Sequence, residues 1–354
     1  MTTQPLTSAK KRDYIPTLDG LRAIAILLVI LSHTVGHTEH PRIAELGHLG
    51  VRIFFALSGY LITTRLLEEY SSTGKISLRN FYLRRIFRIL PPALFYLGVV
   101  GLLAWAGIVI CSWSAIRAAI LLYINYSEQT ALGWKVEHFW SLSVEEHFYL
   151  FWPCLLILFG VRKGWRTAVA IAVSICVWRI LDNRFNFVSN IFHAPYLAAS
   201  SLRTDLTADA LLWGCCLAFF LRSSIRVRIG PAISTVVAIV VVILLEIPFF
   251  LGVNHFVIFL NFFPTVLLGV ILVSPTAPIG RFLELSPVKF VGKLSYSLYI
   301  WQQLFLGGLN FNPPIILALL AIPTCAYLSY RLIEQPSIQF GKRLLARNAL
   351  AAPR

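Results

Sequence analysis

The sequence predicts an all-α, polytopic integral membrane helix bundle of about ten transmembrane helices, with both termini in the cytoplasm. Three observations carry that prediction. The 354 residues are 57% hydrophobic and only 13% charged, at a mean hydropathy of +0.74, about half the charge of an ordinary soluble domain. Apolar runs long enough to cross a bilayer recur along the whole chain. The basic residues alternate sides. Outside the apolar runs or on their end turns, 21 Lys and Arg fall on the side of the N-terminus and alternate connections, against five on the intervening ones. By the positive-inside rule this places both termini in the cytoplasm and requires an even number of spans.

Taken in order, residues 1–13 are a polar cytoplasmic segment. Spans are expected at 15–36, 48–68, 88–110, 139–160, 167–182, 206–222, 232–251, 257–275, 289–309 and 315–336. Residues 69–88 form the most basic connection, on the cytoplasmic side. Residues 111–138 form the longest external one. Within it, Trp113–Tyr126 is apolar but short, which fits an interfacial or re-entrant helix. Residues 14–336 make up the membrane domain, and 337–354 are a basic tail along the inner membrane surface. The first run is too long for a signal-peptide core and carries Arg22 and His33, so it reads as a retained span. The net charge of +15 invites a nucleic-acid reading, but its distribution is explained by topology, and no nucleic-acid partner is expected. The six cysteines include no C-x-x-C pair and read as small packing residues; no metal site is expected.

Arg22 and His33 point to chemistry. Eleven residues apart, they lie within about 20° of each other on one helix face, about 16 Å apart along the axis. Ionisable residues in a span are costly unless they face a partner or a water-filled path. The fourth span opens with Trp140-Ser141-Leu142-Ser143-Val144-Glu145-Glu146-His147, at the depth expected for His33. A carboxylate there would orient the imidazole as a general base. Equally, Ser143-x-x-Glu146 matches a helix capping box. Asp19 and Arg22, three apart, can neutralise each other. Arg84-Arg85-x-x-Arg88 is either a topology signal or a cradle for the phosphates of a soluble ligand. Ser58 and Gly59 read as small residues permitting close helix approach.

In order along the chain, Leu18-Asp19-Gly20-Leu21-Arg22 with Ser32-His33, Gly50-Val51 to Phe54-Phe55 with Ser58-Gly59-Tyr60, Arg84-Arg85-x-x-Arg88 with Pro91, Phe139-Trp140-Ser141-Leu142-Ser143-Val144-Glu145-Glu146, Leu294-Ser295-Tyr296-Ser297-Leu298-Tyr299 and Ile333-Glu334-Gln335-Pro336 resemble the acyltransferase-3 family of membrane O-acyltransferases. The resemblance implies a multi-pass protein of the bacterial inner membrane. Such a protein moves an acyl group, acetyl by default, from cytoplasmic acyl-CoA to a hydroxyl of a cell-surface glycan or glycolipid precursor. On the matching positions it makes His33 the candidate catalytic base. It makes Arg22, Arg85 and Arg88 candidates for donor binding, and Glu145 and Glu146 candidates for the acceptor side or for orienting His33. Asp19, Ser141 and Ser143 are supporting residues. Three positions depart from the family pattern: His147 replaces a usual Gln, Gln302 replaces a frequent His, and no Arg directly precedes Asp209. No hydrolase-like domain follows the last span, so transfer is expected to be completed by this chain or handed to an envelope-biosynthesis partner. A competing reading is a multi-span transporter or flippase of envelope precursors. It predicts paired broken helices and an internal repeat, and the sequence shows neither.

Overall fold

A computed structural model describes residues 14–35, 41–128, 130–199, 202–223, 230–250 and 261–351. The expected cytoplasmic segment 1–13 and the last three residues of the tail lie outside the described residues. Among the described residues no strand occurs. The main helices are α1 (Pro16–Val35), α2 (Pro41–Thr73), α3 (Leu78–Trp105), α4 (Trp113–Ile120), α5 (Phe139–Phe159), α6 (Gly164–Phe185), α7 (Asp209–Arg222), α8 (Pro231–Phe250), α9 (Phe263–Val273), α10 (Ser286–Phe305), α11 (Ile315–Ser329) and α12 (Gln335–Ala351). Each expected span falls on one of these helices. Among the described residues, six helical stretches are long and apolar enough to cross a membrane by length and composition, so the chain is a multi-pass membrane protein.

The helix boundaries correct the sequence reading in three places. The basic connection 69–88 shrinks to a few residues, because α2 runs to Thr73 and α3 begins at Leu78 under a Ser77 cap that accepts from the Asn80 amide (3.3 Å). Arg84, Arg85 and Arg88 therefore sit on the first turns of a helix and not in a loop. α5 begins at Phe139, so Ser143 lies inside it and returns its hydroxyl to the Phe139 carbonyl (3.0 Å). The capping box does not form, and neither glutamate closes a helix start. The tail continues the last helix: α11 passes through a π turn at Tyr330–Glu334 into α12. Pro336 has no amide proton to donate, and a wider turn just before it absorbs the interruption.

α2 is the central element. It packs on α1 and α7, while α1 also packs on α10, α7 on α6, and α12 returns against α3. Its membrane-length window is 61% buried, against 22% for the stretches containing α6 and α11. Those peripheral helices show apolar side chains such as Val177, Ile180, Ile316 and Leu320 on the outside, as a lipid-facing surface requires. α2 and α7 cross through glycines: a Cβ on Gly59 would lie 1.8 Å from the Leu211 carbonyl oxygen, and one on Gly214 2.2 Å from that of Ala56. This is the close approach expected of Gly59. Ser58 faces elsewhere and enters the site.

Candidate active site

The helices bring the predicted arginines to one cavity of about 120 Å³. Arg22 of α1, Arg65 of α2, and Arg85 and Arg88 of α3 line it toward the end of the bundle that carries the basic connections. Arg22 donates to Asp19 (2.9 Å), whose other oxygen accepts from the Tyr14 hydroxyl (2.6 Å), so the expected i, i+3 pair forms. Arg85 and Arg88 make no hydrogen bond or ion pair among the described residues. The Arg85 guanidinium instead lies over the rings of Phe81 (5.7 Å) and Tyr149 (5.2 Å). Arg84 turns away to Glu69 (3.1 Å). Two guanidiniums thus project into an enclosed space with their donors unspent, an arrangement suited to phosphate oxygens.

Glu145 enters the same cavity from α5. Its two oxygens accept from Ser58 and from Tyr149, each at 2.9 Å. Of the two roles expected of Glu145, the acceptor side or orienting His33, the second is not seen: the hydrogen bond to His33 comes from Gln302. Glu146, one residue on, does not line the cavity and keeps a buried Oε1 with no hydrogen-bond partner among the described residues.

At the far end of the cavity, the Ser141 hydroxyl pairs with Tyr299 (2.6 Å), and the Tyr299 hydroxyl also donates to the His138 carbonyl (2.9 Å). Gln302 follows Tyr299 by one turn of α10. Its Oε1 lies 2.8 Å from His33 Nδ1. In this amide orientation the oxygen is an acceptor, so Nδ1 carries the proton and Nε2 is left as the basic nitrogen. Trp134 meets the His33 ring edge-on (5.6 Å) and donates to the Leu306 carbonyl (2.8 Å). Lys135 donates to the carbonyls of Leu304, Gly307 and Phe311 (2.6–3.0 Å), closing the end of α10 that carries Gln302. The sequence reading missed Arg65, Tyr149, Tyr299 and the partnership of Gln302. The signals were present: an arginine in an apolar span, and aromatic residues at i+4 from Glu145 and i−3 from Gln302.

The structure assigns different partners to the positions that depart from the family pattern. His147 Nδ1 pairs with the Thr204 hydroxyl (2.7 Å). Arg203 binds Asp182 (2.7 Å) and Asp205, while Asp209 pairs with Arg179 from α6. Burial alone would raise the Asp205 carboxyl, but hydrogen bonds from Arg203 and Trp178 hold it below the usual carboxylate range.

Fold and site together describe a multi-pass helix bundle with a cationic cavity leading toward an oriented histidine. The chain belongs to the acyltransferase domain family (Acyl_transf_3), which matches residues 15–337. It is 31% identical over 97% of its length to "Putative O-acetyltransferase SACOL0978" of Staphylococcus aureus strain COL, covering 60% of that protein. It is 29% identical over 94% of its length to "O-acetyltransferase OatA" of S. aureus strain NCTC 8325, covering 58% of it. The chain therefore spans about 60% of the length of these curated relatives. No solved structure matches it.

Proposed function

We propose that the protein is an O-acyltransferase of the bacterial inner membrane. It takes an acyl group, acetyl by default, from cytoplasmic acyl-CoA to a hydroxyl of a cell-surface glycan or glycolipid precursor. The observation that carries this reading is the single cavity joining Arg22, Arg65, Arg85 and Arg88 at one end to Ser141 and Tyr299 at the other, one helical turn below the His33–Gln302 pair. The phosphates of CoA bind the arginines, and the thin pantetheine arm extends past Glu145 toward Ser141 and Tyr299. His33 Nε2 removes the proton from the acceptor hydroxyl as its oxygen attacks the thioester carbonyl. The tetrahedral adduct then expels the CoA thiolate, which leaves as the thiol with the proton His33 had taken. Gln302 holds the imidazole in the required tautomer throughout. The distribution of basic residues, read as ten spans with both termini in the cytoplasm, supports putting the arginines on the side where acyl-CoA is made. Envelope-biosynthesis proteins are partners where the acceptor is passed on.

The test is turnover of radiolabelled acetyl-CoA by purified protein in lipid discs, comparing wild type with His33→Ala and with Arg85→Ala/Arg88→Ala. Label transfer or thioester hydrolysis that needs both sites is expected. A folded wild type that neither binds nor turns over acetyl-CoA or longer acyl-CoAs would overturn the proposal.

A further inference from the structure

A second cavity, of about 90 Å³, lies at the opposite end of the bundle from Arg22, Arg65, Arg85 and Arg88. His48 and Arg52 from the first half of α2, Trp140 from the start of α5, Arg179 and Asn183 from the last turns of α6, and Asn261 line it. Phe55 borders both cavities, so they meet across a single side chain.

Two guanidiniums with unfilled hydrogen-bonding capacity meet in this second cavity. Arg179 is only 6% exposed. Its Nε donates to the Leu206 carbonyl (2.7 Å) and one amino group to Asp209, but the other, Nη1, is buried with no hydrogen-bond partner. The Asp209 carboxylate is already shared by Arg179, Asn261 (2.7 Å) and Cys176 (3.6 Å). Arg52 makes no hydrogen bond or ion pair among the described residues, and Glu45, two turns earlier on α2, does not reach it. A cation held in a membrane-embedded helix without a partner faces a water-filled cavity or a ligand. The walls around these two guanidiniums carry an indole and two amides, groups that can meet a sugar's ring face and hydroxyls. The Trp140 ring sits 6.3 Å from His48 and 6.0 Å from Phe55. Asn183 and the Oδ1 of Asn261 supply amide groups suited to hydroxyls.

We propose that this cavity is the acceptor subsite and that it takes a saccharide bearing an anionic group, a carboxylate or a phosphate, held by Arg52 and Arg179 Nη1. The assignment rests on the acyl-transfer reading and gives it a substrate class. It also separates the two substrates: donor phosphates at one end of the bundle, acceptor anion at the other, with Phe55 between them.

The test is direct binding in lipid discs, without acetyl-CoA, of three tritiated probes: methyl glucuronide, glucose 1-phosphate and neutral methyl glucoside. At least one anionic probe is expected to bind about tenfold or more tightly than the neutral sugar, as a charge-assisted contact implies. Whichever it is identifies the anion. Arg52→Gln should remove that preference and Arg52→Lys should partly restore it, both variants binding acetyl-CoA as wild type does. Arg52 has no partner to leave unpaired, so the change is compatible with folding; retained acetyl-CoA binding and an unshifted unfolding temperature verify it. No preference for either anionic sugar, or an unchanged preference in folded Arg52→Gln, overturns the assignment. Loss of acetyl-CoA binding by wild type would instead count against the donor reading and leaves the sugar result to be judged by itself.

Discussion

Replacing Gln302 by leucine tests the histidine's orientation directly. Gln302 is fully buried; its Oε1 lies 2.8 Å from His33 Nδ1, and its Nε2 is buried without a partner. The substitution removes one useful polar atom and one that costs about 1–3 kcal/mol to leave unsatisfied, so folding stability should change little. Turnover should change more. As His33 accepts a proton, the contact from Nδ1–H to the amide oxygen becomes charge-assisted, worth about 1.5–3 kcal/mol. At about 1.4 kcal/mol per tenfold, kcat should fall roughly 10- to 150-fold. The KM for acetyl-CoA should hold, because the arginines are untouched and donor binding is equal in ground and transition states. Steady-state kinetics in lipid discs, with thermal unfolding of the same preparations, separates these effects. A folded Gln302→Leu protein within threefold of wild-type kcat would show that Gln302 does not position the base. A loss confined to KM would move Gln302 to the donor site.

Other perturbations have distinct signatures. Arg88→Ala should raise the KM for acetyl-CoA about 10- to 100-fold at nearly constant kcat, the pattern of lost phosphate binding; a kcat effect alone would refute that role. Gly59→Ala should lower the unfolding temperature markedly, because its new methyl would sit 1.8 Å from the Leu211 carbonyl oxygen and overpacking costs about 1–3 kcal/mol. Gly98→Ala on α3, with nothing within 4 Å, should be neutral or stabilising by up to about 1 kcal/mol; equal losses in the two would show that the α2–α7 crossing is not tight. Asp205 is held below its unfolded value, taken as about 3.9, so its contribution to stability is present above that pH and lost as pH falls through the folded value. Unfolding temperature measured from pH 6 to 3 should fall at the acid end in wild type, and the fall should be smaller in Arg203→Gln; parallel curves would remove Asp205 from the acid response.

The membrane class, the helices under the described parts of the expected spans and three of the four cavity arginines were legible in the sequence. Arg22 stood out because an ionisable side chain inside an apolar run needs a partner or a polar path; Arg65 carries the same signal and was missed. Arg85 and Arg88 were expected in a connection and stand on a helix, because a basic run beside a span looks the same whether it is a loop or a helical turn. Glu145 was expected beside His33 because the two lie at similar depth, but depth does not say which neighbour a side chain faces, and Glu145 turns to Ser58 and Tyr149. The bond between Gln302 and His33 joins residues 269 apart in sequence. Neither residue is unusual at its own position, and only the packing of α1 on α10 brings them together.

α2 organises both halves of the proposed chemistry. On a helix, Ser58 and Arg65 differ by about 20° and share one face, while Arg52 and Arg65 differ by about 220° and point to opposite sides. One face of α2 therefore supplies Ser58 and Arg65 to the donor cavity, and the other supplies His48 and Arg52 to the second cavity. Between those levels, Gly59 locks the helix against α7, so α2 cannot rotate to merge the two environments without losing its tightest contact. An acyl transfer across a membrane needs such a partition. The hydrated CoA phosphates must stay on one side, and the acceptor must reach the thioester without opening a continuous polar channel. The short Phe55 wall between the cavities is the position where that exclusion and that contact have to be reconciled.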